Sequence, residues 1–220
     1  MDFIKPFQSR YAMAFAVVMA ATSFAAQAND VESLAFETHA AFFSKETGQS
    51  RALDPQVFVL DQASAASVGP QGIKHTAGVR NALIADSPTL PIFTAAGKSL
   101  DMSLGAWLSA KGDVVFAPQP NGRERITVVL SGLKPSGHYS LFENHFDQKP
   151  VGFTPLDGDG VDNSFVADAG GKAVFSAYSP NTLTHDNAVL LVYHSDGMNH
   201  GKLRGEIGLD AHHQLILRPR

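Results

Sequence analysis

The chain has 220 residues, with 17 basic and 21 acidic side chains, nine histidines and no cysteine. A net charge of −4, with no basic cluster beyond the broken Arg123-Glu124-Arg125, argues against a nucleic-acid partner, because counterion-release binding to phosphate needs clustered Lys and Arg. Without thiols the chain is closed to disulfides, to lipid attachment at cysteine and to a blue-copper centre.

Residues 1–28 read as a secretory signal. Lys5 and Arg10 supply positive charge, 11–21 is an uninterrupted run of apolar and small residues, and Ala26-Gln27-Ala28 fits a small-residue cleavage site. A mature chain starting near Asn29 carries 15 basic and 20 acidic residues, and its expected location is the periplasm or the medium. The apolar run is shorter than the ~20 residues of a membrane helix, and no later stretch reaches that length, so no membrane span is expected after cleavage. The expected division is signal peptide 1–28, a loop-rich N-terminal segment 29–91 and a β-sandwich domain 92–220, whose combined length suits one core.

In chain order, Val31, Leu34, Ala35, Phe42 and Phe43 place apolar groups on a short helix ending at Gly48, and Val57-Phe58-Val59-Leu60 is a strand. The Ala-, Ser-, Gly- and Pro-rich stretch 62–88 reads as loop. Ser99 is positioned to cap a helix over 100–110, with Leu100, Leu104, Trp107 and Leu108 at helical spacing and Trp107 as a core anchor. Short strands follow at 114–116, 125–130, 139–142, 164–166, 173–175, 188–193 and 214–217, each bounded by turn residues. Many short strands without intervening helices predict a mainly β chain folded as an antiparallel β-sandwich, and the doubly apolar strand 188–193 belongs at its centre.

The segment Leu133-Lys-Pro-Ser-Gly-His-Tyr139, after the strand ending at Leu130, resembles the turn before the tyrosine corner of fibronectin type III and related immunoglobulin-like domains. The resemblance covers these seven residues. It implies an immunoglobulin/fibronectin-like Greek key in which the Tyr139 hydroxyl bonds back to the backbone and locks a connection between sheets.

Five histidines, His185, His194, His200, His212 and His213, gather in the last third of the chain. His194 follows the predicted central strand, Ser195-Asp196-Gly197 is a turn, and His200 lies just beyond it, so both imidazoles are expected at one end of the sandwich. A metal site needs a third or fourth ligand, and the candidates are His145, Glu143, Asp147, His212, His213 and Glu206. Alternation from Tyr139 puts Glu143 and His145 on the core-facing row, which demands a paired charge or a metal. The His212-His213 pair also reads as a solvated tail.

Imidazole and carboxylate without thiolate favours zinc or copper(II). A calcium loop at Asp157, Asp159 and Asp162 is a weaker expectation, because the sixth position of an EF-hand register is Asp162 where Gly is required. Ser195 between His194 and Asp196 cannot form a nucleophilic relay from sequence neighbours alone. Three functional classes stay open: a metal-binding protein using His194 and His200 with His145, Glu143 or Glu206; a non-catalytic binding or adhesion module for a protein, glycan or small ligand; and a hydrolase with converging carboxylates.

Overall fold

The computed structural model describes residues 32–219, and the signal peptide expected at 1–28 lies outside them. The elements in chain order begin with β1 (Glu32–Ala35), β2 (Glu37–Thr38), α1 (His39–Glu46), β3 (Leu53–Leu60), β4 (Ser67–Val68), β5 (Lys74–His75), β6 (Val79–Leu83), β7 (Pro91–Phe93), β8 (Ser99–Ser103) and α2 (Leu104–Leu108). They continue with β9 (Lys111–Pro118), β10 (Glu124–Ser131), β11 (His138–His145), β12 (Gly152–Pro155), β13 (Ser164–Val166), β14 (Ala173–Ser179), β15 (Asn187–His194) and β16 (Ala211–Leu217). Among the described residues no helix is long and apolar enough to cross a membrane.

The chain is mainly β and its strands pair antiparallel. One sheet has the order β1-β9-β10-β14, a second β12-β11-β15-β16-β2 with β13 also on β11, and a third β6-β3-β7-β8. β10 shows how sequence sets the layers: Glu124, Ile126, Val128 and Leu130 are buried and alternate with Arg125 and Val129 in solvent, so this sheet is covered on one face only. The buried row meets Tyr139, Leu141, Val189, Leu191, Tyr193 and Leu215 of the second sheet in one core. That is a β-sandwich, and Val57, Ile92 and Leu100 of the third sheet extend the same core.

β15 is buried along its whole length after Asn187, with neighbours β11 and β16 on either side. Its second apolar row, Ala188, Leu190 and Val192, packs with Phe142 and Ile216 beneath Phe42 of α1. The doubly apolar strand is therefore central, as expected. α1 starts at Thr38, whose Oγ1 accepts from the Ala41 N–H at 3.3 Å, and the chain leaves it through Gly48 at φ +62°, the left-handed conformation that ends helices.

The helix expected over 100–110 is shorter, Leu104–Leu108, and its cap is Ser103, whose Oγ accepts from the Ala106 N–H at 3.2 Å. Ser99 instead opens β8, which pairs with β7. Ser99 Oγ accepts the Asp101 N–H at 3.0 Å while Asp101 takes φ +53°, so strand pairing overrides the helical spacing there. Trp107 is 1% exposed in the core, and its Nε1 donates to Asp54 Oδ2 at 2.8 Å.

Tyr139 forms the expected lock. Its fully buried hydroxyl accepts the Lys134 N–H at 2.9 Å and fixes the crossing from β10 in one sheet to β11 in the other. The segment 29–91, over its described part, adds β1 and β2 to the edges of the two sandwich sheets and supplies α1 and β3. The stretch 62–88 holds the small β4–β5 ribbon and β6 among its turns.

Candidate metal site

His194 is the last residue of β15, and β16 begins at Ala211 directly opposite it. Antiparallel pairing therefore brings the loop that leaves β15 beside the turn that enters β16. Ser195 N–H donates to the Asp210 carbonyl at 2.8 Å, and Ser195 Oγ donates to the Leu209 carbonyl at 3.0 Å. Asp210 is held by its own turn, in which its Oδ1 accepts the Glu206 N–H at 2.5 Å. Asp196 Oδ1 accepts the Met198 N–H at 3.0 Å, an Asx turn that starts the loop to His200.

The loop returns so that His200 Nε2 lies 3.1 Å from Asp196 Oδ2, and its ring centroid lies 5.0 Å from that of His194. One ligand atom from each of Asp196, His200 and Asp210 lies within 4.8 Å of the other two, a group able to hold a metal ion. Bonds of about 2.0–2.2 Å from imidazole nitrogen and carboxylate oxygen suit such a set.

His194 stands against this group, 1% exposed. Its Nε2 is 2.8 Å from Ser140 Oγ, whereas its Nδ1 is buried with no hydrogen-bond partner. Burial, reinforced by neighbouring His200, pushes its pKa down to about 4, so the ring is neutral at neutral pH, the form that ligates metals.

A second loop braces the first. Gly160, at φ +76°, passes so close to Gly201 and Lys202 that a Cβ there would lie 2.5 Å from their backbone atoms. The turn carrying Gly160 is organised by Asp157, whose carboxylate accepts the N–H groups of Gly160, Val161 and Asp162. Burial alone would raise the Asp157 pKa, but these donors outweigh it and hold the carboxyl below its ordinary value. The Asp157, Asp159 and Asp162 carboxylates do not converge as a three-ligand group, unlike those at Asp196 and Asp210. Their clustering serves the turn.

The structure brings together His194 and His200 from the predicted ligand set and leaves the other three apart. In the β11–β15 ladder His138 lies opposite His194, and His145 lies opposite Asn187 at the other end of the strand. Seven residues at about 3.3 Å each separate the two ends by ~23 Å. Glu143 and His145 instead satisfy each other locally: Glu143 Oε1 is 3.5 Å from His145 Nδ1 and accepts from Asn187 Nδ2 at 2.6 Å, while His145 Nε2 meets Thr154 Oγ1 at 2.8 Å. Glu206 is exposed and contributes its backbone to the turn that holds Asp210.

The pair His212-His213 is no solvated tail, for the two are 0% and 2% exposed on opposite faces of β16. His212 Nδ1 faces the Gln56 carbonyl at 3.2 Å, and its Nε2 is 3.3 Å from Ser195 Oγ. With a carbonyl at Nδ1 and Ser195 Oγ already donating to backbone, this contact has no orienting carboxylate and forms no nucleophilic relay. His185 is exposed beside Asp186.

Sequence reasoning missed Asp196 as a ligand and Asp210 altogether. The signal for Asp210 was its place immediately before the last strand, once that strand is paired with β15. A scan against protein families, a search of curated proteins and a search of solved structures each returned no match for the chain.

Proposed function

We propose that this protein is an exported metal-binding β-sandwich that holds one zinc(II) ion at Asp196, His200 and Asp210. The observation that carries this reading is the convergence of one imidazole and two carboxylates within 4.8 Å at the paired ends of β15 and β16. Neutral His194, with an unpartnered Nδ1, borders this three-ligand group without joining it. Asp196 and Asp210 each have Oδ1 fixed by a backbone N–H, the outer-shell support that orients metal ligands, and Asp196 Oδ2 faces His200 Nε2 at 3.1 Å. Copper(II), which accepts the same nitrogen and oxygen donors, is the competing ion. The secretory signal read at residues 1–28 supports export, and the Tyr139 lock supports an immunoglobulin-like kinship of the sandwich.

The test is a calorimetric titration of chelator-stripped protein with zinc(II) and, separately, copper(II). The expected result is saturation near one ion per chain, with Asp210→Asn weakening the affinity at least about tenfold, equal to ~1.4 kcal/mol. Tighter copper than zinc binding beyond the general preference of such donors would assign the site to copper. No saturable binding of either ion overturns the reading.

A further inference from the structure

On the outer face of the second sheet, away from the shared core, α1 and the segment around β12 enclose a cavity of about 480 Å³. Phe42, Phe43, Phe146, Phe153 and Ile216 give it an apolar wall. Four residues in the same wall each carry a buried polar atom with no hydrogen-bond partner: His39 Nδ1, Asn144 Oδ1, Arg204 Nε and His213 Nε2. His39, Asn144 and His213 are 4%, 5% and 2% exposed. An unmatched buried polar atom costs about 1–3 kcal/mol, so four around one cavity point to a partner that folding itself does not supply.

The hydrogen-bond pattern fixes what that partner offers. Gln56 Oε1 accepts the His213 backbone N–H at 2.7 Å, which sets the orientation of its amide and makes Nε2 the donor. That Nε2 meets Gln71 Oε1 at 2.7 Å and His213 Nδ1 at 3.0 Å, so Nδ1 accepts. Burial, together with His39 and Arg204, keeps the His213 pKa well below its ordinary value, so the ring is neutral and its one proton is on Nε2. The unmatched Nε2 is therefore an N–H donor, as is the unmatched Nε of Arg204.

Arg204 adds charge. Its Cζ stands 3.6 Å from the centroid of the Phe153 ring, and burial draws its pKa down to about 10. Among the described residues no ion pair reaches it. Glu46, the carboxylate that also borders the cavity, is on the exposed end of α1. His39 and His213 lie ring to ring at 4.8 Å, but the adjacent unpaired guanidinium repels a cation between them. Two donors and one uncompensated positive charge outweigh the single acceptor, Asn144 Oδ1, and with the aromatic wall they select an anion with an apolar body.

We propose that this cavity binds a small monocarboxylate, its carboxylate taken by Arg204 and His213 and its apolar body by Phe42, Phe146 and Phe153. The cavity shares no residue with the metal group, and the two sites stand or fall separately.

The test titrates the full chain, stripped of metal, with phenylacetate and with octanoate, each compared with its neutral amide, by calorimetry. The expected result is one saturable site for at least one carboxylate, an amide at least about tenfold weaker, and a similar loss of carboxylate affinity in Arg204→Gln with the amide unchanged. An aromatic or an alkyl preference identifies the body. If neither carboxylate saturates at millimolar concentration, or the amides bind as well, the proposal is overturned by the unmodified protein alone, whatever Arg204→Gln does to folding.

Discussion

Trp107 Nε1 donates to Asp54 Oδ2 across 2.8 Å in the interior, joining α2 to β3. Asp54 Oδ1 accepts from the N–H groups of Gln56 and Val57, so the carboxylate shapes the bend from which Gln56 reaches β16. Through Gln56 this one buried acid orders both His212 and His213. Trp107→Phe removes a donor from a buried carboxylate and leaves a gap, and is expected to cost about 2–4 kcal/mol in urea unfolding followed by circular dichroism. A loss below about half a kcal/mol contradicts the role given to the bond.

Tyr139→Phe keeps the ring stacked on Phe165 and removes only the hydroxyl that accepts the Lys134 N–H. The expected cost is about 1–2 kcal/mol of stability, with zinc affinity unchanged because the hydroxyl bonds to the Lys134 N–H and to none of the ion's ligands. Stability equal to that of the parent shows the corner to be dispensable.

Gly160→Ala is expected to act at a distance. The added methyl meets the backbone of Gly201 and Lys202, so the loop carrying His200 must shift. Zinc affinity should fall at least about tenfold, while the strain costs the fold only about 1–2 kcal/mol. Unaltered zinc binding with an intact fold contradicts the bracing of the metal loop by this turn.

Acid should destabilise the chelator-stripped protein. Burial and then Arg204 lower His39 to about 3 against an ordinary 6.5, and burial lowers His213 in the same direction. Between these limits the unfolded chain binds protons that the folded chain refuses, so their contribution is full above pH 6.5 and is lost as pH falls. Asp54 has the opposite sign: burial raises it to about 6 against donors from Gln56, Trp107 and Val57, so it favours folding below its unfolded value and loses that contribution as pH rises through 6. His194 and His212, each lowered to about 4 chiefly by burial, act in the same direction, so four histidines outweigh one carboxyl and the free energy of unfolding is expected to be several kcal/mol lower at pH 5 than at pH 7. His39→Gln should remove a measurable part of that difference, and a flat profile in the parent contradicts the burial of neutral imidazoles.

Much of this architecture was legible because it is local. Alternation in β10, the doubly apolar β15 and the seven residues ending at Tyr139 each carry their meaning within one strand or turn. The helix starts four residues later than its spacing suggests because the pairing of β8 with β7 is a contact that periodicity does not contain. The metal site was half legible for the same reason. His194 and His200 flank one turn, but Asp210 joins them only through the β15–β16 register. Glu143 and His145 were misplaced because the face of a strand can be read from alternation, whereas the end at which it meets its neighbour cannot. His212 and His213 looked like a tail because their cover, Gln56, is 156 and 157 residues away in sequence.

The central claim is that Asp196, His200 and Asp210 hold an ion, and metal content measures it most directly. The chain is expressed, purified without chelator and analysed for elements, beside the double variant His200→Ala/Asp210→Asn. The parent is expected to carry close to one zinc per chain, and the variant to lose that metal while remaining folded. A parent free of zinc and copper that also takes up neither on incubation, or a variant that retains its full metal, contradicts the claim.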